Sequence, residues 1–176
     1  MKNFFLTAFM CMALASSPAF AQELSLSTNI VDYAGGGAAN LEASYGFTRH
    51  WSVSAGMKYD AFGTARQQLY ALGGRYWPWH IYSGWWFSGK MQYQEFNEKE
   101  SFGQETSEGD RYGAGLSGGY SRMLSRHLNV DLGLGLWAGH VNYVTYACPT
   151  CGRRIGSGSK MFVLPNDIMI AFSFIF

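Results

Sequence analysis

Two cysteines, Cys148 and Cys151, stand in the stretch YACPTCG. Cys-Pro-x-Cys-Gly is the shape of a zinc knuckle, in which two thiolates and a tight turn wrap a metal. A structural zinc takes four ligands. No second pair follows here, and His140 is the nearest imidazole, so metal is not expected. In an exported chain such a pair forms a disulfide; the alternatives are free thiols or a stiff turn shaped by Pro149. Gly113-Ala114-Gly115-Leu116-Ser117-Gly118 satisfies G-x-G-x-x-G, but no helical pattern follows to receive a pyrophosphate. Gly115 to Gly119 satisfies G-x-S-x-G, yet a nucleophile elbow also needs a strained turn into a helix. Three histidines, His50, His80 and His127, fall in short turns, two of them after an arginine. They read as polar turn residues, with a converging metal or partner site as the alternative. No catalytic residue, cofactor or metal is expected.

The elements around these residues explain the rejections. The chain opens with a short basic start, an apolar run from Phe4 to about Ala15, and Ala19-Phe20-Ala21. That is the pattern of a signal peptide over residues 1–21, cleaved after Ala21, with a barrel domain over 22–176. Cys11 lies inside the leader. Thirteen basic residues, of which Lys2 is in the leader, face twelve acidic ones, so nothing points to nucleic acid. Charged residues make up 14% and aromatic residues 17%, with 22 glycines. Soluble chains average about 25% charged. No mature segment reaches the roughly 20 apolar residues of a membrane helix.

Alternation of period two replaces it. In residues 167–176, Ile168, Ile170, Phe172, Phe174 and Phe176 share one face. Leu128–Ala138, Trp51–Tyr59 and Ala39–Phe47 alternate in the same way, with Gly, Ser and single charges on the second face. About ten alternating residues suffice for a tilted strand to cross a bilayer. Eight strands are predicted, over 23–33, 38–47, 51–59, 69–77, 81–95, 111–123, 128–145 and 166–176. A phase slip between Ala138 and Val141 predicts a bulge near Gly139 or an exit there. Short turns at 48–50, 78–80 and 124–127 alternate with longer loops at 60–68, 96–110 and 146–165. This predicts an all-β, eight-stranded antiparallel up-and-down transmembrane β-barrel in the bacterial outer membrane, both termini periplasmic. Trp51, Trp77, Trp79, Phe174 and Phe176 are expected at the periplasmic rim, and Tyr59, Tyr93, Tyr112 and Tyr143 at the outer one.

The inward face would carry Glu42, Lys58, Arg75, Lys90 and Asp131, an ion-pair network filling a narrow lumen together with Trp86 and Trp137. The third loop carries Glu98, Glu100, Glu105, Glu108 and Asp110; the fourth carries Arg153, Arg154 and Lys160. Opposite charge predicts that the two loops pair above the barrel.

The segments LSLSTNIVDYA, RHWSVSAG, GGRYWPW, YGAGLSGGYSRMLSRHLNVDLGLGLW and CPTCG resemble an uncharacterised family of small outer-membrane barrels from Bacteroidota, a domain of unknown function. The resemblance spans the mature chain and implies an outer-membrane location. It supplies no functional residues. The function expected is a structural or interaction role through surface loops, linked to surface assembly or adhesion. The alternatives are a lipid- or lipopolysaccharide-modifying enzyme and a narrow channel. The expected partners are outer-membrane lipid and lipopolysaccharide, and a surface protein or glycan; the barrel is expected to be monomeric.

Overall fold

A computed structural model describes residues 24–60, 66–99, 106–147, 152–165 and 168–176. They form one antiparallel sheet of β1 (Leu24–Asn29), β2 (Ala38–Gly46), β3 (Trp51–Asp60), β4 (Arg66–Tyr76), β5 (Gly84–Lys99), β6 (Thr106–Ser125), β7 (Leu128–Tyr146), β8 (Arg154–Pro165) and β9 (Met169–Ile175), with one helix, α1 (Ile30–Gly36). Each strand from β1 to β7 pairs antiparallel with the next, β1 reaching β2 through α1; β9 pairs with both β7 and β1, and the ring closes with eight strands. The chain is an all-β, closed, eight-stranded antiparallel barrel.

Alternation decides which side chains face inward, since neighbours along a strand point to opposite faces. Ser52, Ser54, Arg75, Trp86, Ser88, Lys90, Ser117, Asp131 and Trp137 are buried inside. Outside, register places Leu41, Met57, Tyr70, Tyr93, Tyr112, His140 and Met161 opposite one another in turn. Towards the short-turn end, Trp51, Tyr76 and Phe87 form a second outward row. Between the rows the exposed side chains are apolar, among them Val53, Leu72, Met91, Leu116, Leu134 and Leu136.

Several expected boundaries move. The first strand stops at Asn29 and gives way to α1, capped by the Asn29 side chain and ended by Gly37 in the left-handed region at φ 71°. The eighth wall position is split. β9 occupies it near the short turns, while β8, expected inside a loop, continues it along β7 towards the long hairpins. β5, β6 and β7 also run beyond their expected ends, so the third loop is mostly paired strand. No bulge occurs at Gly139, which stands opposite Gly113 in unbroken register. The apolar phase slips instead because Val141 faces inward and is buried.

Candidate functional site

The inward side chains build the lumen in layers. The short-turn end is shut by the turn 77–83, whose Trp77 and Tyr82 side chains are buried in the bore while Trp79 stays outside. Trp77 is 0% exposed and donates from Nε1 to Ser52 Oγ (3.1 Å), so it is a plug and not a rim residue. Tyr82 takes a left-handed backbone at φ 60° and meets Trp77 edge-on at 5.7 Å. Its hydroxyl donates to the Ser44 carbonyl (3.2 Å), and its own carbonyl accepts from Asn129 Nδ2 (2.5 Å). Burial pushes the Tyr82 phenol above its ordinary value. Trp86, Met169, Ala171 and Ile175 complete this cluster.

The turn histidines lock the same end. His50 Nδ1 donates to the Trp77 carbonyl (2.9 Å), while the Trp77 N–H donates to the His50 carbonyl (2.8 Å). His127 repeats the arrangement with Ile175, at 2.9 and 2.8 Å. His80 Nδ1 bonds the adjacent Ile81 carbonyl (3.1 Å), so the three rings serve separate turns and do not converge. Among the described residues no group of three or more His, Cys, Asp or Glu is placed to hold a metal ion.

Above the plug lies a charged layer. Arg75 Nη2 donates to Glu42 Oε1 (3.2 Å), and Arg75 Nη1 lies 3.6 Å from Asp131 Oδ2. Lys90 Nζ donates to Glu42 Oε2 (2.6 Å). Ser121 and Ser173 donate to the two oxygens of Asp131. The guanidinium of Arg75 sits 4.3 Å from the Trp86 ring and 5.5 Å from that of Trp77, a cation–π seat on the plug. Glycine makes the room: a Cβ at Gly133 would lie 2.7 Å from the Trp86 ring, and one at Gly119 would lie 2.6 Å from it. Of the G-x-G-x-x-G match, Gly113 and Gly115 face inward, but Gly118 faces outward beside Phe87. Ser117 bonds Ser88 Oγ at 2.8 Å inside the lumen.

Lys58 joins a third layer, paired at 2.5 Å with Asp32, a helix residue that alternation placed in a strand. Two asparagines hold α1 in the wall. Asn40 donates from Nδ2 to the Asn29 carbonyl (2.8 Å), and its Oδ1 accepts from the Asn29 N–H (2.7 Å). Asn29 does the same towards β9: Nδ2 donates to the Ile168 carbonyl (3.2 Å) and Oδ1 accepts from the Ile170 N–H (3.0 Å). Each carboxamide stands in for a peptide group and continues the ladder where β1 stops. Asn40 Nδ2 also reaches Asp32 Oδ2 (2.9 Å). Behind this latch lies a cavity of about 80 Å³, lined among others by Ser27, Asn40, Glu42, Lys58, Lys90 and Gln92.

Sequence reasoning missed Asp32, Asn29 and Asn40. The signal was present: Asn29 and Asp32 before Gly35-Gly36-Gly37 are helix start and stop residues.

The charges expected to pair between loops lie elsewhere. Glu108 accepts from Asn97 Nδ2 (2.5 Å) and Asp110 from Asn142 Nδ2 (3.3 Å). Lys160 Nζ lies 5.5 Å from the Tyr143 ring. β7 separates β6 from β8, and among the described residues no ion pair joins Glu108 or Asp110 to Arg153, Arg154 or Lys160. Tyr143 stands on the inward face with Val141, not on the outer aromatic row. Glu98 lies in β5; Glu100, Glu105, Cys148, Cys151 and the leader lie outside the described residues.

No curated protein and no solved structure matches the chain. The chain belongs to the family described as Protein of unknown function (DUF3575), whose model matches residues 4–176.

Proposed function

We propose that the protein is a monomeric barrel of the bacterial outer membrane, exported by the segment 1–21, with both termini periplasmic and its long hairpins at the cell surface. The observation that carries this reading is the outward apolar belt between two aromatic-rich rows, over an inward face of serines and paired charges. In water that surface would be a very large exposed apolar patch; in lipid it is the expected one. An interaction role fits the hairpins. β5, β6, β7 and β8 extend together beyond the outer Tyr93, Tyr112 and His140 row, with Glu95, Glu108 and Asp110 on one side and Arg153, Arg154 and Lys160 on the other. Such a two-signed blade suits a protein or glycan partner in a surface assembly.

Membrane fractionation tests the location. The folded protein is expected in the outer-membrane fraction, with faster gel migration before boiling than after. Recovery in the soluble periplasm would sink the proposal. Surface cross-linking tests the partner, with Glu108→Lys and Arg154→Glu expected to reduce capture.

A further inference from the structure

We infer that the free edge of β8 is a docking edge for an extended acidic peptide segment of a surface protein, which adds to the sheet as a further strand. The inference rests on the interaction role proposed above and names the partner's chemistry. Among the described strands β8 hydrogen-bonds to β7 alone. The next strand round the ring, β1, pairs with β2 only between Glu42 and Tyr45, so no described strand stands between β8 and the upper end of β2. Every other strand contains buried residues, whereas none of the 12 residues of β8 is buried. Even Leu164, opposite the inward-facing Trp137, is 39% exposed.

An edge strand presents a row of unpaired backbone N–H and C=O groups, and such a row takes up an extended chain through ladder hydrogen bonds. Height decides where that can happen. Met161 stands opposite His140 in the outer aromatic row, so the stretch from Arg154 to Lys160 rises beyond the belt into water. At the other end Pro165 has no N–H to offer, which blunts the edge on the lipid side. The edge is therefore open from the cell surface.

Side chains specify the occupant. Among the described residues Arg153, Arg154 and Lys160 pair with no carboxylate, and Lys160 Nζ lies 5.5 Å from the Tyr143 ring. Acidic side chains on an added strand supply the countercharge. A Cβ at Gly158 would meet the Tyr143 hydroxyl at 2.7 Å, so that glycine makes room for the ring, and a Cβ at Gly156 would meet nothing within 4 Å. This open shelf beside an aromatic ring suits a tyrosine or valine, because cross-strand aromatic and β-branched pairs stabilise a sheet. A second copy of the chain fits poorly. It would set the same three cations against one another, and two copies in one membrane both send β8 down towards lipid, so the two edges cannot run antiparallel.

Fluorescence anisotropy with the folded full-length barrel in detergent tests this. The probes are dye-labelled nine-residue peptides that alternate Glu with Tyr or Val, begun on either residue so that both strand faces are sampled. At least one should bind saturably at 1:1, and its isotope-labelled carbonyls should shift to the β-sheet position in the infrared. N-methylation of one alternate set of peptide nitrogens keeps the charge and removes the donors of one edge; one of the two sets should weaken binding at least tenfold and the other should not. Lys160→Glu should weaken the acidic peptide at least fivefold and strengthen its lysine counterpart, a reversal that misfolding would not produce. No saturable binding by any acidic peptide would leave a merely hydrated edge and overturn the inference. Affinity indifferent to both methylated sets would mean attraction by charge alone and overturn it equally, as would indifference to Lys160→Glu. A barrel absent from the membrane fraction fails the earlier proposal, whereas peptide failure with a membrane-located barrel fails only this one.

Discussion

At the scale of single residues, the lumen depends on Arg75, which touches both carboxylates and both plug indoles. Its side chain is 6% exposed and that of Asp131 is 5%. Removing one member of a buried pair leaves an uncompensated charge, a loss of about 3–5 kcal/mol. Arg75→Met should lower the urea midpoint for conversion to the unfolded gel form by that equivalent. Arg75→Met with Asp131→Leu should lose less than the sum of the single changes, and additive losses would show that the two residues do not interact. Asn40→Ala should cost about 1–3 kcal/mol, because the Asn29 N–H and carbonyl lose their partner together. The inward charges were legible in the sequence, since period two alone puts Glu42, Arg75, Lys90 and Asp131 on one face. Which of them touch was not. Glu42 and Lys90 are 48 residues apart and meet through the shear of the closed sheet.

At the scale of elements, two features hidden from the alternation set local shape. The segment RIGSGSKMFVLP reads as loop because its first half is Gly- and Ser-rich and its apolar run does not alternate, yet it forms β8 along an existing edge. Tertiary pairing overrides weak strand propensity there. α1 was obscured by the reverse effect, an alternating run that continued past the Asn29 cap. The glycines of β6 were visible as a cluster, but their separate duties follow only from register. A Cβ at Gly119 would strike the Leu132 carbonyl and the Trp86 ring, whereas one at Gly118 stays 3.4 Å from Phe87. Gly119→Ala should therefore destabilise the barrel by several times more than Gly118→Ala in the same urea assay. The plug turn carries a pH signature. Because burial raises the Tyr82 phenol above its unfolded value of about 10, its stabilising effect is complete below that pH and fades as pH climbs through the folded value. Between pH 9 and 11 the native barrel should lose more stability than Tyr82→Phe, and equal slopes would detach the plug from that phenol.

At the scale of the whole molecule, the barrel is closed by ladders near the short turns and by side chains near the long hairpins, and its bore is blocked at more than one level. The turn carrying Trp77 and Tyr82 fills the short-turn end, Trp86 lies across the glycines of β6 and β7, and Trp137 packs edge-on against Phe162 at 4.7 Å nearer the other end. An eight-stranded barrel has an interior that side chains can fill, and here bulky indoles do so. The ion pairs are set between these blocks. They balance charge within the lumen, but they do not by themselves obstruct the bore. This separation gives a measurable distinction between a plugged scaffold and a narrow channel. In planar bilayers the native protein should pass no unitary current, and Glu42→Gln with Lys90→Gln should stay equally silent, because the indoles remain in place. Discrete current steps from the native barrel would establish a continuous water path through layers that Trp77, Trp86 and Trp137 are here held to seal.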